Sequence, residues 1–416
     1  MKLNLTKPER SWILYDVGNS AFILLVSTLF PIYFNTLTAR SGISSSHSVA
    51  YWGYAVSIST LLVALTGPIW GAASDKKGRK KPLFLLSILI GVIGCFCLGL
   101  SQKWLVFLIV FAVAKVGYSI SLIFYDAMLP DITTIPRMNR LSAQGYAWGY
   151  IGSCIPFFIC LILVFGADTI GIHTETAMTI SFMMIAAWWM ISAIPLLYFY
   201  QQTHFSKGSR FGIQTTFRNL WDSLKEMASN KQVLLFLFAF LFYIDGVYTI
   251  IEMATVYGSA LGLDGTGLLL ALLMTQIVAF PSSIGIGWLS QHFSTKLLIS
   301  ICIGVYFCIA IFAMFMTNQL HFWILAFMVG LFQGGIQALS RSHFAKMIPP
   351  EKSGEYFGVM DICGKGASFI GTTTISMVSQ LTGSANLGIG ALAVFFLIGL
   401  ILFQLSVREK HGRRKA

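Results

Sequence analysis

Charged residues are scarce in this sequence, and that scarcity decides the class of protein. Of 416 residues, only 11% are Asp, Glu, Lys or Arg, whereas 56% are hydrophobic. A soluble globular protein typically carries about 25% charged residues. The composition therefore excludes an ordinary soluble globule and indicates that much of the surface faces lipid.

Several chemical signatures are also missing. No Walker-type G-x-x-x-x-G-K-[ST] motif occurs, so direct use of ATP is not expected. The histidines are scattered without the spacing of a metal site, and the cysteines lie in apolar stretches as small buried hydrophobes. We expect no cofactor and no enzymatic activity. A membrane-embedded enzyme is a remote alternative, since it would need a nucleophile with a base or clustered metal ligands.

Apolar runs recur along the chain, and each is long enough to cross a bilayer as a helix, which takes about 20 residues. The alternating pattern of a membrane β-barrel is absent, and no cleavable signal peptide is expected. The predicted spans are residues 11–35, 51–73, 82–101, 104–129, 141–166, 176–200, 232–261, 266–290, 297–317, 322–345, 354–381 and 386–407. The sequence therefore predicts an all-α integral membrane protein with twelve transmembrane helices.

Basic residues mark one side of the membrane. If the N-terminus is cytoplasmic, the inner segments hold 23 of the 28 Lys and Arg residues, and the outer loops hold only Arg40 and Lys103. Lys115, Arg341 and Lys365 lie within predicted spans. This asymmetry follows the positive-inside rule and predicts that both termini are cytoplasmic. The net charge of +12 therefore indicates anionic membrane lipids as neighbours rather than nucleic acid.

One long polar interruption divides the spans into six and six. It predicts an N-terminal bundle over residues 1–200, a basic cytoplasmic linker over 201–231, and a C-terminal bundle with a basic tail over 232–416. Within the linker, "FRNLWDSLKEM" (217–227) has apolar residues at helical spacing. We predict a short amphipathic helix there, acting either as a tether or as a coupling element on the inner membrane surface.

The two halves echo each other weakly. "IPRMNRLSAQGYAWGYIG" (135–152) leads into the fifth predicted span, and "IPPEKSGEYFGVMDICG" (348–364) leads into the eleventh. Residues 71–82 and 287–297 form a second pair of equivalent positions. Equivalent positions in two halves of equal orientation predict two pseudo-symmetric six-helix bundles.

The loop after the second span, "GAASDKKGRKKPL", combines glycines, a carboxylate and cations. Gly71 permits close approach of two helices, and Gly78 permits a tight reversal. Asp75 can accept hydrogen bonds from a helix N-terminus or pair with a cation. We expect Arg79 and Lys80 to hold the loop in the inner headgroup layer. The loop resembles the G-x-x-x-D-x-x-G-R-K signature of the major facilitator superfamily.

This resemblance implies a role for the loop. It implies that Asp75 docks onto the start of the eleventh span, near Ser353 and Gly354, and latches the inner side closed. The alternative is a merely basic reverse turn. In the second half, "GWLSQHFSTKL" has Gln291 where the signature has Asp and Ser294 where it has Gly, so a second latch is not expected.

A narrower resemblance covers nearly the whole chain. The segments "LYDVGNSAF" (14–22), "FYIDGVYTIIEMATVYG" (242–258) and "GLFQGGIQALSRSHFAKMIP" (330–349) are similar to hallmark segments of the unknown major facilitator family. That family includes the vacuolar amino-acid effluxers of autophagy. The resemblance implies a transporter, and the short loops resemble bacterial members. We therefore expect a multi-pass protein of a bacterial cytoplasmic (inner) membrane.

Polar residues concentrate in four spans that, by the superfamily resemblance, line a central cavity. Each charge at mid-bilayer costs roughly 2.5–3.5 kcal/mol unless a partner, water or protonation compensates it. The candidate residues of a substrate and proton pathway are Asp16, Asn19, Lys115, Tyr118, Asp245, Glu252, Gln333 and Gln337. The amides of Gln333 and Gln337 either bind a polar substrate or hold helices together.

Asp245 and Lys115 are expected at similar depth. Asp245 lies about 12 residues, or roughly 18 Å, from the inner start of its helix, and Lys115 about 11 residues, or roughly 16 Å, from the outer start. A pair across the cavity is therefore geometrically allowed. Asp245 either carries protons or only holds helices together against Lys115. Glu252 is either an outer gate or an interface carboxylate.

A second charged cluster is predicted near the inner mouth. Arg341 bridging Asp16 or Asp126 would form a cytoplasmic gate together with the loop that contains Asp75. The alternative is that Asp126 and Arg341 only mark the membrane interface.

Together these features predict a secondary active transporter that works by alternating access, coupled to protons. A cavity with both charge signs and amides suits a small polar or zwitterionic solute such as an amino acid. The expected partners are that solute, protons and membrane lipids, and the expected state is a monomer. An uncoupled facilitator or an exporter of amphipathic compounds or lipids is the alternative.

Overall fold

The computed structural model describes residues 4–206, 213–260, 262–365 and 368–408, and this part of the chain is almost entirely helical. The basic tail predicted at the C-terminus lies largely outside the described residues. The α-helices, in chain order, are α1 (Lys7–Val26), α2 (Leu29–Arg40), α3 (Ser45–Ser74), α4 (Lys80–Cys97), α5 (Trp104–Ala127), α6 (Leu129–Ile132), α7 (Met138–Phe165), α8 (Ala167–Ile170), α9 (Thr174–Phe199), α10 (Ile213–Ser229), α11 (Lys231–Ala260), α12 (Gly265–Leu289), α13 (Thr295–Ala313), α14 (Gln319–Met347), α15 (Ser353–Lys365), α16 (Ser368–Thr382), α17 (Ala385–Gly390) and α18 (Leu392–Val407).

Within the described residues, 11 helical segments are long and apolar enough to cross a membrane. The predicted span over 354–381 coincides with α15 and α16, which are separated by residues 366–367, outside the described part. The prediction of an all-α membrane protein is confirmed.

The first span begins earlier than predicted and is interrupted. Thr6 and Glu9 form a reciprocal capping box that starts α1 at Lys7, and Pro8 occupies the first turn, where its missing N–H does not matter. The hydroxyls of Ser27 and Thr28 donate to carbonyls four residues back. Such bonds compete with the backbone ladder, and α1 ends here before α2 begins.

The described residues form two compact units. The first contains the chain up to Ser206 together with Pro349–Val359, and the second contains 213–348 and the chain from Met360 onward. Helix α10 stands where the amphipathic linker helix was predicted. The division into residues 1–200, 201–231 and 232–416 stays a prediction.

The first unit is organised around α1, which packs against α7 and α9, while α4 and α3 pack against α5. Its interior contains a cluster of aromatic rings, among them Phe30, Tyr33, Phe107 and Phe182. The rings of Phe30 and Phe182 lie 5.0 Å apart at 88°, an edge-to-face arrangement. Such pairs are worth about 0.5–1.5 kcal/mol beyond the area they bury.

The second unit pairs α11 with α18 and α12 with α14, and α13 packs on α14 and α18. Gly399 brings α18 against α11, because a Cβ at this position would lie 2.9 Å from the Cβ of Tyr243. The hydroxyls of Tyr243 and Ser340 form a buried hydrogen bond of 2.7 Å. Small residues and buried hydrogen bonds are the usual means of joining helices in lipid, where hydrophobic burial contributes little.

Candidate functional site

The loop between α3 and α4 reverses the chain within five residues. Asp75 caps the C-terminus of α3, and Gly78 has a φ of 70°, a left-handed conformation that glycine adopts without strain. Arg79 is exposed, as expected for a residue of the headgroup layer, whereas the next residue, Lys80, is buried and begins α4.

Asp75 accepts hydrogen bonds from the first turn of α15. Its Oδ1 atom lies 2.8 Å from the backbone nitrogen of Gly354, and its Oδ2 atom lies 2.9 Å from that of Glu355. The first four N–H groups of a helix have no acceptor inside that helix. Asp75 therefore caps α15 from another part of the chain, and the contact implied by the superfamily resemblance is present.

Lys80 lies beside this contact rather than in a headgroup layer, and our expectation for it is wrong. Its side chain is 0% exposed. The ammonium donates to Ser353 Oγ at 2.8 Å and to the carbonyl of Ala127 at 3.2 Å, and it lies 3.5 Å from Asp75 Oδ1. A buried ammonium needs hydrogen-bond acceptors or an opposite charge, and at this position Ser353, the carbonyl of Ala127 and the carboxylate of Asp75 provide them. We call Asp75, Lys80 and Ser353–Glu355 the latch.

Glycines allow α3 and α15 to approach at the latch. A Cβ on Gly71 would overlap the carbonyl of Gly354, and a Cβ on Gly358 would lie 2.7 Å from the Cα of Pro68. The backbones of α3 and α15 are therefore in direct contact over about one turn, as Gly71 led us to expect.

Burial dominates the electrostatics of Asp75. Loss of hydration raises the pKa of this carboxyl from 3.8 to about 6, although Lys80 and the two backbone amides favour the ionised form. The latch thus holds a carboxyl group that ionises less readily than an exposed aspartate.

Sequence reasoning missed Asp131, which also faces Lys80. Its Oδ2 atom lies 3.7 Å from the ammonium, and its side chain is 1% exposed. Asp131 follows α5 in a segment that we predict to be cytoplasmic and that is otherwise basic. The argument that singled out Asp75, a lone carboxylate among cations, would have identified it as well.

The candidate residues of α1 lie in the core of the first unit. Asp16 is 6% exposed and accepts from the hydroxyl of Tyr125 at 3.1 Å. Asn19 is 2% exposed and donates to the carbonyl of Tyr15 at 3.0 Å. Gly145 of α7 lies directly against Asp16, since a Cβ there would be 2.9 Å from Oδ2. Asp16 thus lies where α1, α5 and α7 meet.

The candidates of α5 have different environments. Tyr118 is buried, with its ring 5.1 Å from that of Phe22 and 5.8 Å from that of Trp189. Lys115 and Asp126 are half-buried, at the middle and the C-terminal end of the helix. Tyr118 therefore has a packing role in addition to any role in binding.

Asp245 is the most deeply buried candidate of the second unit. Its side chain is 1% exposed within α11, and Thr249, one turn later, donates to Oδ1 at 3.2 Å. Gly371 of α16 lies against the carboxylate, because a Cβ there would be 2.8 Å from Oδ1. Glu252, on the same helix, is exposed.

The candidates of α14 line one side of that helix. Gln333 is 2% exposed, and its Nε2 atom has no hydrogen-bond partner among the described residues. Gln337 is half-buried and Arg341 is 3% exposed. The predicted pairing of Asp245 with Lys115, and of Arg341 with Asp16 or Asp126, stays a prediction.

Gln333 lines a cavity of about 70 Å³ inside the second unit. The other lining residues come from α11, α12, α13, α14 and α17 and are mostly apolar, including Ile250, Leu272 and Phe322. A buried amide donor at the edge of an apolar cavity can bind an acceptor, either of water or of a ligand.

Comparison with known proteins identifies relatives over the full chain. The family described as "Vacuole effluxer Atg22 like" matches residues 6–416. An uncharacterised MFS-type transporter of Bacillus subtilis is 41% identical over 414 residues, which is 98% of this chain and 97% of that protein. Autophagy-related protein 22 of Cryptococcus neoformans is 25% identical over 304 residues, 67% of this chain and 52% of that protein.

Solved structures share the fold at low sequence identity. The proton:xylose symporter XylE superposes with a TM-score of 0.73 at 11% identity, covering 97% of this chain and 95% of that one. The human organic anion transporter MFSD10 superposes with a TM-score of 0.71 at 14% identity, covering 95% and 100%. The Bacillus relative and both structures are transporters rather than enzymes, and the twelve-helix fold is confirmed. The chain therefore belongs to the Atg22-like vacuole effluxer family, within the major facilitator superfamily of membrane transporters.

Proposed function

We propose that this transporter is a secondary active carrier that moves a small polar or zwitterionic, amino-acid-like solute by alternating access, driven by protons. The chain is a multi-pass membrane transporter by its family. The class of solute, the coupling to protons and the mechanism of alternating access are what we propose beyond this.

The buried carboxylate of Asp245 carries the proposal. It is 1% exposed inside α11 and receives a hydroxyl hydrogen bond from Thr249. A charge at membrane depth costs several kcal/mol, so ionisable residues in spans are retained for function by default. Asp245 would take up a proton when its environment is dry and release it when water enters. Lys115 would supply the opposite charge that a zwitterion requires.

The latch is proposed to be the cytoplasmic gate. A buried ion pair with its hydrogen bonds intact is stable only as a complete set, because removal of one partner leaves an uncompensated charge. Such an arrangement has two states, assembled or hydrated, as a gate requires. Arg341, with Asp16 or Asp126, is proposed to assist it.

The charge distribution supports a location in the membrane and a set of lipid neighbours. We propose the cytoplasmic membrane of a bacterium, both termini inside, with anionic lipids at the basic inner loops. A monomer is the proposed working unit. The family description supports export as the direction of transport.

The first step of the test is to identify a solute that the protein binds. Purified protein is screened by thermal shift against amino acids, peptides, nucleosides and sugars, because a genuine ligand raises the unfolding midpoint by mass action. The ligand found is then used for flux in proteoliposomes with and without a proton gradient. We expect uphill accumulation in the parent and only downhill flux in Asp245→Asn.

Asp264→Asn is the matched control. Asp264 caps α12 by accepting from the N–H of Gly267 at 2.7 Å, and Asn is an equally good cap. This variant should retain uphill accumulation. If the flux of the parent protein does not depend on the proton gradient, the protein is an uncoupled facilitator. If Asp245→Asn still accumulates the solute against its gradient, Asp245 is not the proton carrier.

The apolar cavity beside Gln333 favours a second candidate function, export of amphipathic compounds. Its lining is largely apolar with the two amides of Gln276 and Gln333, the combination that a hydrophobic solute with one or two acceptors would contact once the cavity of about 70 Å³ enlarges to admit it. The same thermal-shift screen, extended to hydrophobic amines and carboxylic acids, separates the two candidates.

A further inference from the structure

The chain that follows α9 is tied to the latch by hydrogen bonds. Residues 200–206 have no helix, yet their polar groups converge on Asp131. The hydroxyl of Tyr200 donates to Oδ2 at 2.6 Å. The hydroxyl of Thr203 and the backbone N–H of His204 each donate to Oδ1 at 2.8 Å. The ring nitrogen Nδ1 of His204 lies 2.9 Å from the same oxygen.

The same segment holds the end of α3. Gln202 donates to the carbonyl of Ser74 at 3.1 Å, and the N–H of Ser206 donates to the carbonyl of Asp75 at 2.8 Å. The last carbonyls of a helix lack partners inside that helix, so residues 200–206 supply them from outside. Lys77 lies 5.5 Å from the ring centre of Phe205, which adds a cation–π contact.

These contacts reach the latch by two routes. Asp131, with a side chain 1% exposed, lies 3.7 Å from the ammonium of Lys80, which bonds to Ser353. Asp75, whose carboxylate caps α15, is held through its own carbonyl by Ser206. Residues 200–206 are therefore bound to Asp75 directly and to Lys80 through Asp131.

We propose that residues 200–206 are a strap that positions the latch, with Tyr200, Thr203 and His204 as positioning residues for Asp131 and Lys80. The strap is also the first stretch of the connection between the two halves of the sequence. Movement of that connection would first break the hydrogen bonds that Ser206 donates to Asp75 and that His204 donates to Asp131. Asp75 would then lose its direct support, and Lys80 would lose the support that it receives through Asp131. The gating role of this coupling rests on the proposed function, whereas the positioning itself does not.

Hydrogen exchange of the intact protein tests the positioning directly. The N–H groups of Gly354 and Glu355 have Asp75 as their acceptor, so exchange in peptides covering Ser353–Phe357 reports latch opening. We expect Tyr200→Phe and Thr203→Val each to speed this exchange roughly fivefold, the effect of one hydrogen bond worth about 1 kcal/mol. Thr203→Ser keeps the hydroxyl and should restore the parent rate.

Tyr257→Phe is the matched control for a general loss of stability. It removes a buried hydroxyl hydrogen bond of 2.7 Å to the carbonyl of Ala313, in the second unit. Exchange at Ser353–Phe357 should stay at the parent rate in this variant. Parent rates in Tyr200→Phe and Thr203→Val, or equal acceleration in Tyr257→Phe, would overturn the strap. The hydrogen-exchange experiment uses no solute, so its result does not depend on the outcome of the transport assay.

Discussion

At the scale of single residues, Asp75 shows how burial and hydrogen bonding oppose each other. Two backbone amides and Lys80 favour its ionised form, and desolvation favours the protonated form by more. The pKa of about 6 is therefore a property of the assembled latch. In the unfolded chain or the hydrated loop, the carboxyl returns to an ordinary pKa.

This difference predicts a pH dependence of stability. Because the folded pKa of Asp75 lies above its unfolded value, its contribution is fully present below pH 3.8 and is lost as the pH rises through about 6. The loss is up to about 3 kcal/mol, since one pKa unit corresponds to 1.36 kcal/mol. Unfolding midpoints of parent and Asp75→Asn, compared between pH 4.5 and 7.5, should shift in favour of the variant as the pH rises. A constant difference would contradict the raised pKa.

Gln333 illustrates the cost of an unmet hydrogen bond. Its Nε2 atom has no partner among the described residues, and an unsatisfied buried donor costs about 1–3 kcal/mol. We expect Gln333→Leu to raise the unfolding midpoint of the ligand-free protein. If the amide binds the solute, the variant should also lose part of the ligand-induced shift.

Asn386 provides the comparison for Gln333. Its amide donates to the carbonyls of Met314 and Met316 and accepts from Tyr257. Asn386→Leu removes the donor of the Met314 and Met316 carbonyls and should lower the unfolding midpoint, whereas the Tyr257 hydroxyl keeps its bond to the carbonyl of Ala313. Similar destabilisation by Gln333→Leu would mean that Gln333 is bonded in the protein.

At the scale of helices, the contact of α3 with α15 depends on the absence of side chains. A Cβ on Gly71 would overlap the backbone of Gly354, which cannot move as a side-chain tip can. Gly71→Ala should therefore separate the helices and speed exchange of the Gly354 and Glu355 amides. At Gly53, in the same helix, a Cβ would meet no atom within 4 Å. Gly53→Ala should be neutral or stabilising, by about 0.5–1 kcal/mol, and equal effects of the two variants would argue against a steric latch.

Helices could be predicted from the sequence where the length of an uninterrupted apolar run sets both of their ends. The run from Trp104 to Ala127 has no break, and prediction and structure differ there by two residues. The break after Val26 was not predicted, because Ser27 and Thr28 are individually compatible with a helix. The strap was missed because its polar groups carry no periodicity, and their partner, Asp131, lies about 70 residues away in sequence.

Side-chain environments were harder to predict than helices. Arg79 and Lys80 are adjacent cations in one basic loop, so the sequence offers no reason to separate them. The start of α4 turns Lys80 inward, where Ser353 and the carbonyl of Ala127 accept its hydrogen bonds. Asp75 was correctly linked to Gly354 only through the superfamily resemblance, since their separation in sequence hides the contact.

At the scale of the whole molecule, basic charge is the argument for orientation. Lys and Arg resist translocation, so we expect the loops that hold most of them to be cytoplasmic. The loop at Lys77 is rich in cations, whereas the turn at Ser41 follows a lone arginine, Arg40. Both positions are exposed. They therefore test the two sides of the membrane.

A cysteine at each position decides the orientation. In intact cells, a membrane-impermeant maleimide should label Ser41→Cys but not Lys77→Cys, and permeabilisation should expose Lys77→Cys. The parent protein, whose described cysteines all lie within helices, sets the labelling background. Labelling of Lys77→Cys but not of Ser41→Cys in intact cells would place the latch on the outer side of the membrane. The latch could then not be a cytoplasmic gate, although this result would not affect its hydrogen bonds. Labelling of both positions in intact cells would instead show that the turn at Lys77 is reached through an open pathway, and the closed latch would then be a minor state.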